Sequence, residues 1–158
     1  MNQMRKIVLL FVLIGALVAC TEALFYDKVY SFDNKEWTQR VKPSFVVDIK
    51  EDDKEYVFTI TLRTTTDYKY SDLWIYMNTI TPDGKKVREP FKILITNSDG
   101  SWSGIKTGTI VQNQLQFGKS KLPMKGKYTF ILEQGITNSK IDEVLDIGVS
   151  VKRFNVEE

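Results

Sequence analysis

Few residues in this chain have the types and spacing that covalent chemistry needs. Its 158 residues include no His and a single cysteine, Cys20. The commonest general base and the commonest metal ligand are therefore missing together. One thiol cannot make an internal disulfide or a thiolate zinc cluster. What is left for catalysis is paired carboxylates, Ser with Lys, or hydrolysis at a carboxylate-bound metal. Asp52 and Asp53 are adjacent in a turn-like stretch, so their side chains diverge. Ser71 and Ser120 have Lys69, Lys119 and Lys121 nearby, but no S-x-x-K signature. Asn97-x-Asp99-Gly100-Ser101 places oxygens at alternate positions. It lacks the later bidentate Glu of a calcium loop, and an Asx-type turn explains it. A glycosidase needs two carboxylates at a set separation in a cleft, which no local spacing here provides. The chain reads as a non-enzyme with no cofactor and no metal.

The aromatic residues are the better lead. Tyr68, Tyr70, Trp74 and Tyr76 fall at even spacing, and Trp102 sits in a Gly/Ser loop. In an extended segment the first four would share one face, opposite Leu73, Ile75 and Met77. Tyr and Trp anchor protein or sugar contacts at modest entropic cost. These five residues are the candidate binding surface. The alternative is a strand covered on both sides.

The N-terminus has its own pattern. Arg5 and Lys6 precede an unbroken apolar run from Ile7 to Ala19, followed by Cys20, Thr21 and Glu22. A spanning helix needs about 20 apolar residues, and this run is shorter. A retained anchor helix is thus the weaker reading, and an export signal the stronger. Leu17-Val18-Ala19-Cys20 resembles the lipobox of bacterial lipoproteins, which implies acylation of Cys20 after cleavage before it. Each buried acyl CH₂ contributes about 0.8 kcal/mol, so two or three chains hold a protein durably on a membrane. Removing 19 of the 158 residues would leave 139. Without Arg5 and Lys6 the 22 basic residues become 20, against 20 acidic ones. The formal charge of +2 becomes zero, too little for an electrostatic claim on nucleic acid.

Those chemical groups must be positioned by strands. From Phe25 onward the apolar period is two. Tyr56, Phe58, Ile60 and Leu62 alternate with Val57, Thr59, Thr61 and Arg63, while Tyr128, Phe130 and Leu132 alternate with Thr129, Ile131 and Glu133. Leu145, Ile147, Val149 and Val151 repeat the pattern near the end. About eight strands are expected, at 25–32, 44–50, 56–64, 73–81, 86–95, 113–118, 126–134 and 145–153. Turn chemistry separates them, as at Thr81-Pro82-Asp83-Gly84 and Asn97-Ser98-Asp99-Gly100. The best helix candidate, Ser139 to Leu145, would give one or two turns. The fold class is all-β, an antiparallel β-sandwich of about eight strands with jelly-roll-like topology. The expected organisation is a signal at 1–19, a lipidated tether at 20–24 and one β-sandwich domain at 25–158.

The mature chain resembles the gliding-motility lipoprotein GldH family of Bacteroidetes. Phe25-Tyr26-Asp27 is followed by Asn34-Lys35-Glu36-Trp37, and the most specific stretch runs from Leu62-Arg63-Thr64 through Asp67-Tyr68-Lys69-Tyr70-Ser71-Asp72-Leu73. Asp72 stands where Asn is usual. Thr81-Pro82-Asp83-Gly84, Asp99-Gly100-Ser101-Trp102-Ser103-Gly104, Pro123 to Phe130 and Asp146-Ile147-Gly148-Val149 match further pieces in order. The resemblance implies a lipid-anchored envelope protein associated with gliding motility and its linked secretion machinery. Its implied partners are the membrane, through the N-terminal lipid, and other envelope proteins of that machinery. It implies no reaction and no cofactor. Thr21-Glu22-Ala23 lacks the acidic cluster that directs some lipoproteins of this phylum to the cell surface, which points to a periplasm-facing position. A glycan-binding envelope module is the alternative.

Overall fold

A computed structural model describes residues 24–154. The expected signal and Cys20 lie outside the described residues. Eleven strands are assigned: β1 (Leu24–Ser31), β2 (Glu36–Thr38), β3 (Ser44–Ile49), β4 (Glu55–Thr65), β5 (Asp72–Ile80), β6 (Lys86–Leu94), β7 (Ile105–Thr107), β8 (Ile110–Lys121), β9 (Gly126–Gln134), β10 (Lys140–Asp142) and β11 (Val144–Phe154). A 3₁₀ turn at Asp33–Lys35 is the only helical element among the described residues.

Alternation builds the two layers. On β4 the side chains of Tyr56, Phe58, Ile60 and Leu62 are buried, as are Ile147, Val149 and Val151 of β11. Phe45, Val47 and Ile49 of β3, Leu73, Ile75 and Met77 of β5, and Tyr128, Phe130 and Leu132 of β9 face them. One sheet has the order β1-β11-β4-β8-β7 and the other β3-β9-β5-β6, all antiparallel. Numbering the eight long strands along the chain, the first sheet holds the first, eighth, third and sixth, and the second holds the second, seventh, fourth and fifth. That order is the double Greek key of a jelly roll. An aromatic seam joins the layers. Phe58 lies 5.6 Å from Phe130, and Phe117 of β8 lies 5.6 Å from Phe130 and 6.0 Å from Phe91 of β6.

Two expectations need correcting. Ser139 to Leu145 is not helical but forms β10 and the start of β11. Ile141 and Val144, three apart, are both buried, a spacing that looks helical. It arises because Glu143, at φ 66°, turns the chain between two strands. Leu145 does not begin the inward alternation of β11, because the register shifts between Val144 and Asp146. Val144 is fully buried and Leu145 only partly. The three short strands β2, β7 and β10 carry too few residues to show a period. The β2–β10 ribbon closes one end of the sandwich with Trp37, which stacks on Phe32 at 4.9 Å and donates its indole N–H to the Val41 carbonyl at 2.9 Å.

Candidate functional site

The candidate surface is the outer face of the β3-β9-β5-β6 sheet. With Leu73, Ile75 and Met77 committed to the core, the pleat of β5 turns Trp74, Tyr76 and Asn78 outward. Trp74 is 46% exposed, a large fraction for a Trp on a strand. Register then decides its neighbours. Across β6, Trp74 faces Lys92, Tyr76 faces Pro90 and Asn78 faces Arg88. Across β9, Tyr76 faces Glu133 and Asn78 faces Ile131.

Cations cover the aromatic rings. The Arg88 guanidinium lies 4.0 Å from the Tyr76 ring centroid and the Lys92 ammonium 5.9 Å from that of Trp74. Lys92 also pairs with Asp72 at 2.9 Å. Glu133 is held from both sides, accepting from Lys42 at 2.8 Å and from Arg88 at 3.0 Å. The Lys42 hydrogen bond is the main reason its carboxyl sits below the usual carboxylate range. Beside this pair a cleft of about 360 Å³ is lined by Lys42, Asn78, Ile80, Lys86, Arg88 and Ile131, among others. The face can stack on flat apolar or sugar surfaces and hydrogen-bond anionic groups around them. Among the described residues no group of three or more His, Cys, Asp or Glu is placed to hold a metal.

The five sequence-predicted residues do not form one face. Tyr68 is buried, only 6% exposed, and donates its hydroxyl to the Asp72 carbonyl at 3.2 Å. Burial is the main cause that pushes its phenol pKa up, with Tyr70 and Asp72 adding to it. The even spacing fails here because Tyr68 closes a turn, its N–H donating to the Thr65 carbonyl at 3.3 Å. Parity carries through an extended strand but not through a turn. Tyr70 is exposed, its ring edge-on to Tyr68 at 5.6 Å. Trp102 is half-buried against the core, bridged to Thr96 across the continuation of β6. Of the five, Trp74 and Tyr76 share the outer face of β5. The sequence reading missed Arg88, Lys92 and Lys42. A signal for two of them was present, since Lys86, Arg88 and Lys92 fall at even positions of one predicted strand.

Fold and face together define an all-β jelly-roll domain whose aromatic and cationic groups lie on the outside of one sheet. A profile of the GldH lipoprotein family matches residues 24–151, and the chain belongs to that family. It is 26% identical over 160 residues to a gliding motility lipoprotein GldH homolog of Christiangramia forsetii, covering 98% of both chains. It is 21% identical over 144 residues to the gliding motility lipoprotein GldH of Flavobacterium johnsoniae, covering 87% of this chain and 89% of that one. Among solved structures, dimeric latent PorU of Porphyromonas gingivalis aligns over 87% of this chain and 14% of its own, with 10% identity and a TM-score of 0.34. The infectious bursal disease virus VP2 subviral particle aligns over 83% and 33%, with 13% identity and a TM-score of 0.32. At those scores the structural likenesses carry no argument.

Proposed function

We propose that the protein is a lipid-anchored, periplasm-facing component of the cell envelope that serves gliding motility and its linked secretion machinery without catalysing a reaction. Cys20 is the acylated residue, residues 1–19 the export signal, the short stretch from Cys20 to the start of β1 the tether and the rest one domain. The domain acts by binding other envelope proteins through the outer face of β5 and β6. The observation that carries this reading is Trp74, 46% exposed on a sheet face with the Lys92 ammonium 5.9 Å from its ring, in a member of the GldH lipoprotein family. Exposed Trp and Arg clusters supply much of the energy at protein interfaces.

Two measurements test it. Clickable palmitate should label the wild-type protein in its own cells and fail to label Cys20→Ala; label on that variant would refute the anchor. Co-purification of the anchored protein should recover envelope partners that a folded Trp74→Ala variant loses.

The second reading, glycan binding, draws support from the same face. Trp74 and Tyr76 both keep solvent-exposed surface and are flanked by Asp72, Asn78 and Glu133, which suits a sugar platform. A glycan array with the folded domain separates the two: signal lost with Trp74→Ala favours the sugar, and a silent array favours protein partners.

A further inference from the structure

The two ends of the sandwich differ in charge, and the chain leaves the sandwich toward Cys20 from the basic one. β1 begins at Leu24, four residues after Cys20, so the tether spans at most about 14 Å. The acylated end of the chain must therefore lie close to whatever surrounds Leu24. Register identifies those surroundings. Leu24 pairs with Lys152, Lys152 with Val57, and Val57 with Lys119. The connection of β3 to β4, the β5–β6 hairpin and the connection of β8 to β9 reach the same end. Lys125 pairs with Asp52 at 3.6 Å, Arg153 pairs with Glu51 at 3.0 Å, and Gly126 abuts Pro82 so closely that a Cβ there would stand 2.8 Å from it.

This end is lysine-rich. Residues 48–55, 81–86, 119–127 and 152–154 hold ten basic and six acidic side chains, against ten and eleven in the rest of the described residues. Glu22, Glu157 and Glu158 lie outside the described residues; counted at this end, they still leave it net positive. Lys85, Lys86, Lys119, Lys121, Lys125 and Lys127 are all exposed, with Asp83 the one acid in the same two segments. Two exposed apolar side chains stand among them, Leu24 at 45% and Phe154 at 38%, the latter under the Lys119 ammonium at 3.8 Å. Lysines mixed with exposed apolar groups beside a short lipid tether match an anionic bilayer surface, where each basic group adds attraction.

We propose that this lysine-ringed end is a membrane-docking surface. It seats the domain upright on anionic phospholipid headgroups of the leaflet that holds the Cys20 acyl chains. Trp74, six residues along β5 from Ile80, then stands roughly 20 Å farther from the bilayer, turned toward the aqueous space. The docking rests on the anchor proposed above, and the test reads the two separately.

Mature acylated protein purified from its own cells is reconstituted into phosphatidylcholine vesicles with or without phosphatidylglycerol, pulsed with acetic anhydride, and its lysines are quantified by mass spectrometry. On anionic vesicles at low salt the six exposed lysines should label about threefold more slowly than on neutral ones, and the difference should vanish near 0.5 M salt, where screening is nearly complete. Lys69, Lys92 and Lys106, toward the other end, should not change. The variant Lys119→Glu/Lys121→Glu/Lys127→Glu, altered only at exposed positions, should lose the difference while its Cys20 peptide keeps the acyl mass. Equal labelling of an acylated protein on both vesicles would overturn the docking alone. A Cys20 peptide without acyl mass would overturn the anchor and the docking with it.

Discussion

Arg63 and Asp146, 83 residues apart, are joined by a bidentate ion pair on the outer face of the first sheet. The Arg63 Nε donates to Asp146 Oδ1 at 2.8 Å and Nη2 to Oδ2 at 2.6 Å. The carboxylate side chain is only 7% exposed while the guanidinium side chain is 42% exposed. Hydrogen bonding and charge from Asp146 raise the Arg63 pKa further above its already high value. The bond ties β4 to β11 beside the register shift near Val144. Removing Arg63 strands a buried carboxylate, whereas removing Asp146 leaves a guanidinium that water still reaches. Arg63→Ala should therefore cost about 1–3 kcal/mol, a range discounted for the exposed partner, and should exceed the cost of Asp146→Asn. Urea midpoints of the two variants check the order; equal midpoints would overturn the burial asymmetry, and wild-type midpoints in both would show that the pair is not holding the strands.

How far the sequence could be read follows from where its period holds. The eight long strands were legible because Phe58, Ile60 and Leu62, or Phe130 and Leu132, alternate without interruption and each is buried. Where the register slips, the reading slips with it, as at Leu145 in the bulge and at Tyr68 in the turn. The outer face was half legible. Trp74 and Tyr76 belong to one strand and so share one parity, but Lys42 and Glu133 come from chain segments whose pairing only the folded topology sets.

Gly104 closes the Trp102 loop at a point where no side chain fits. A Cβ there would stand 2.2 Å from the Gln112 carbonyl oxygen and 2.7 Å from the Asn113 side-chain nitrogen. That nitrogen is buried and donates to the Leu94 carbonyl at 2.7 Å and to Ser103 Oγ at 3.0 Å. Gly104→Ala should cost about 2 kcal/mol or more through overpacking. Gly100 offers the contrast, because its φ is +83° and a Cβ there meets nothing within 4 Å. Gly100→Ala should cost only the left-handed backbone penalty, about 1 kcal/mol. Chemical denaturation of both variants checks this, and a larger loss at Gly100 would contradict the packing account.

Tyr68 makes the fold sensitive to alkali. Burial raises its pKa above the ordinary value of 10.0, so the folded state holds the phenolic proton more tightly than the unfolded chain. Below pH 10 both states keep the proton and the group is silent. Above it the unfolded chain ionises first, and stability falls as pH rises. Tyr68→Phe should cost about 1 kcal/mol at neutral pH for the lost bond to the Asp72 carbonyl, and should flatten the decline above about pH 10. Tyr26 and Tyr128 are shifted the same way by burial, so a shallower slope should persist. Denaturant midpoints across about pH 8–11 read it; an unchanged slope in Tyr68→Phe would exclude that phenol as its source.

The face built on Trp74 should be separable from the stability of the fold. Trp74 is nearly half exposed, so Trp74→Ala should move stability by no more than about 1 kcal/mol. Arg88→Ala removes the guanidinium from the Tyr76 ring and one bond from Glu133, but Lys42 still holds that carboxylate at 2.8 Å. No buried charge is orphaned, and the cost should again stay near 1 kcal/mol. For binding the same substitutions should act differently. An exposed Trp under a cation at the centre of a contact surface behaves as a hot spot, where truncation costs about 2 kcal/mol or more, roughly a thirtyfold loss of affinity. Quantitative co-purification of the protein from its own cells, with Thr59→Ala on the opposite sheet as control, should show partner recovery collapsing for Trp74→Ala and Arg88→Ala alone. Wild-type recovery in either variant, with an unchanged denaturation midpoint, would move the contact surface away from β5 and β6.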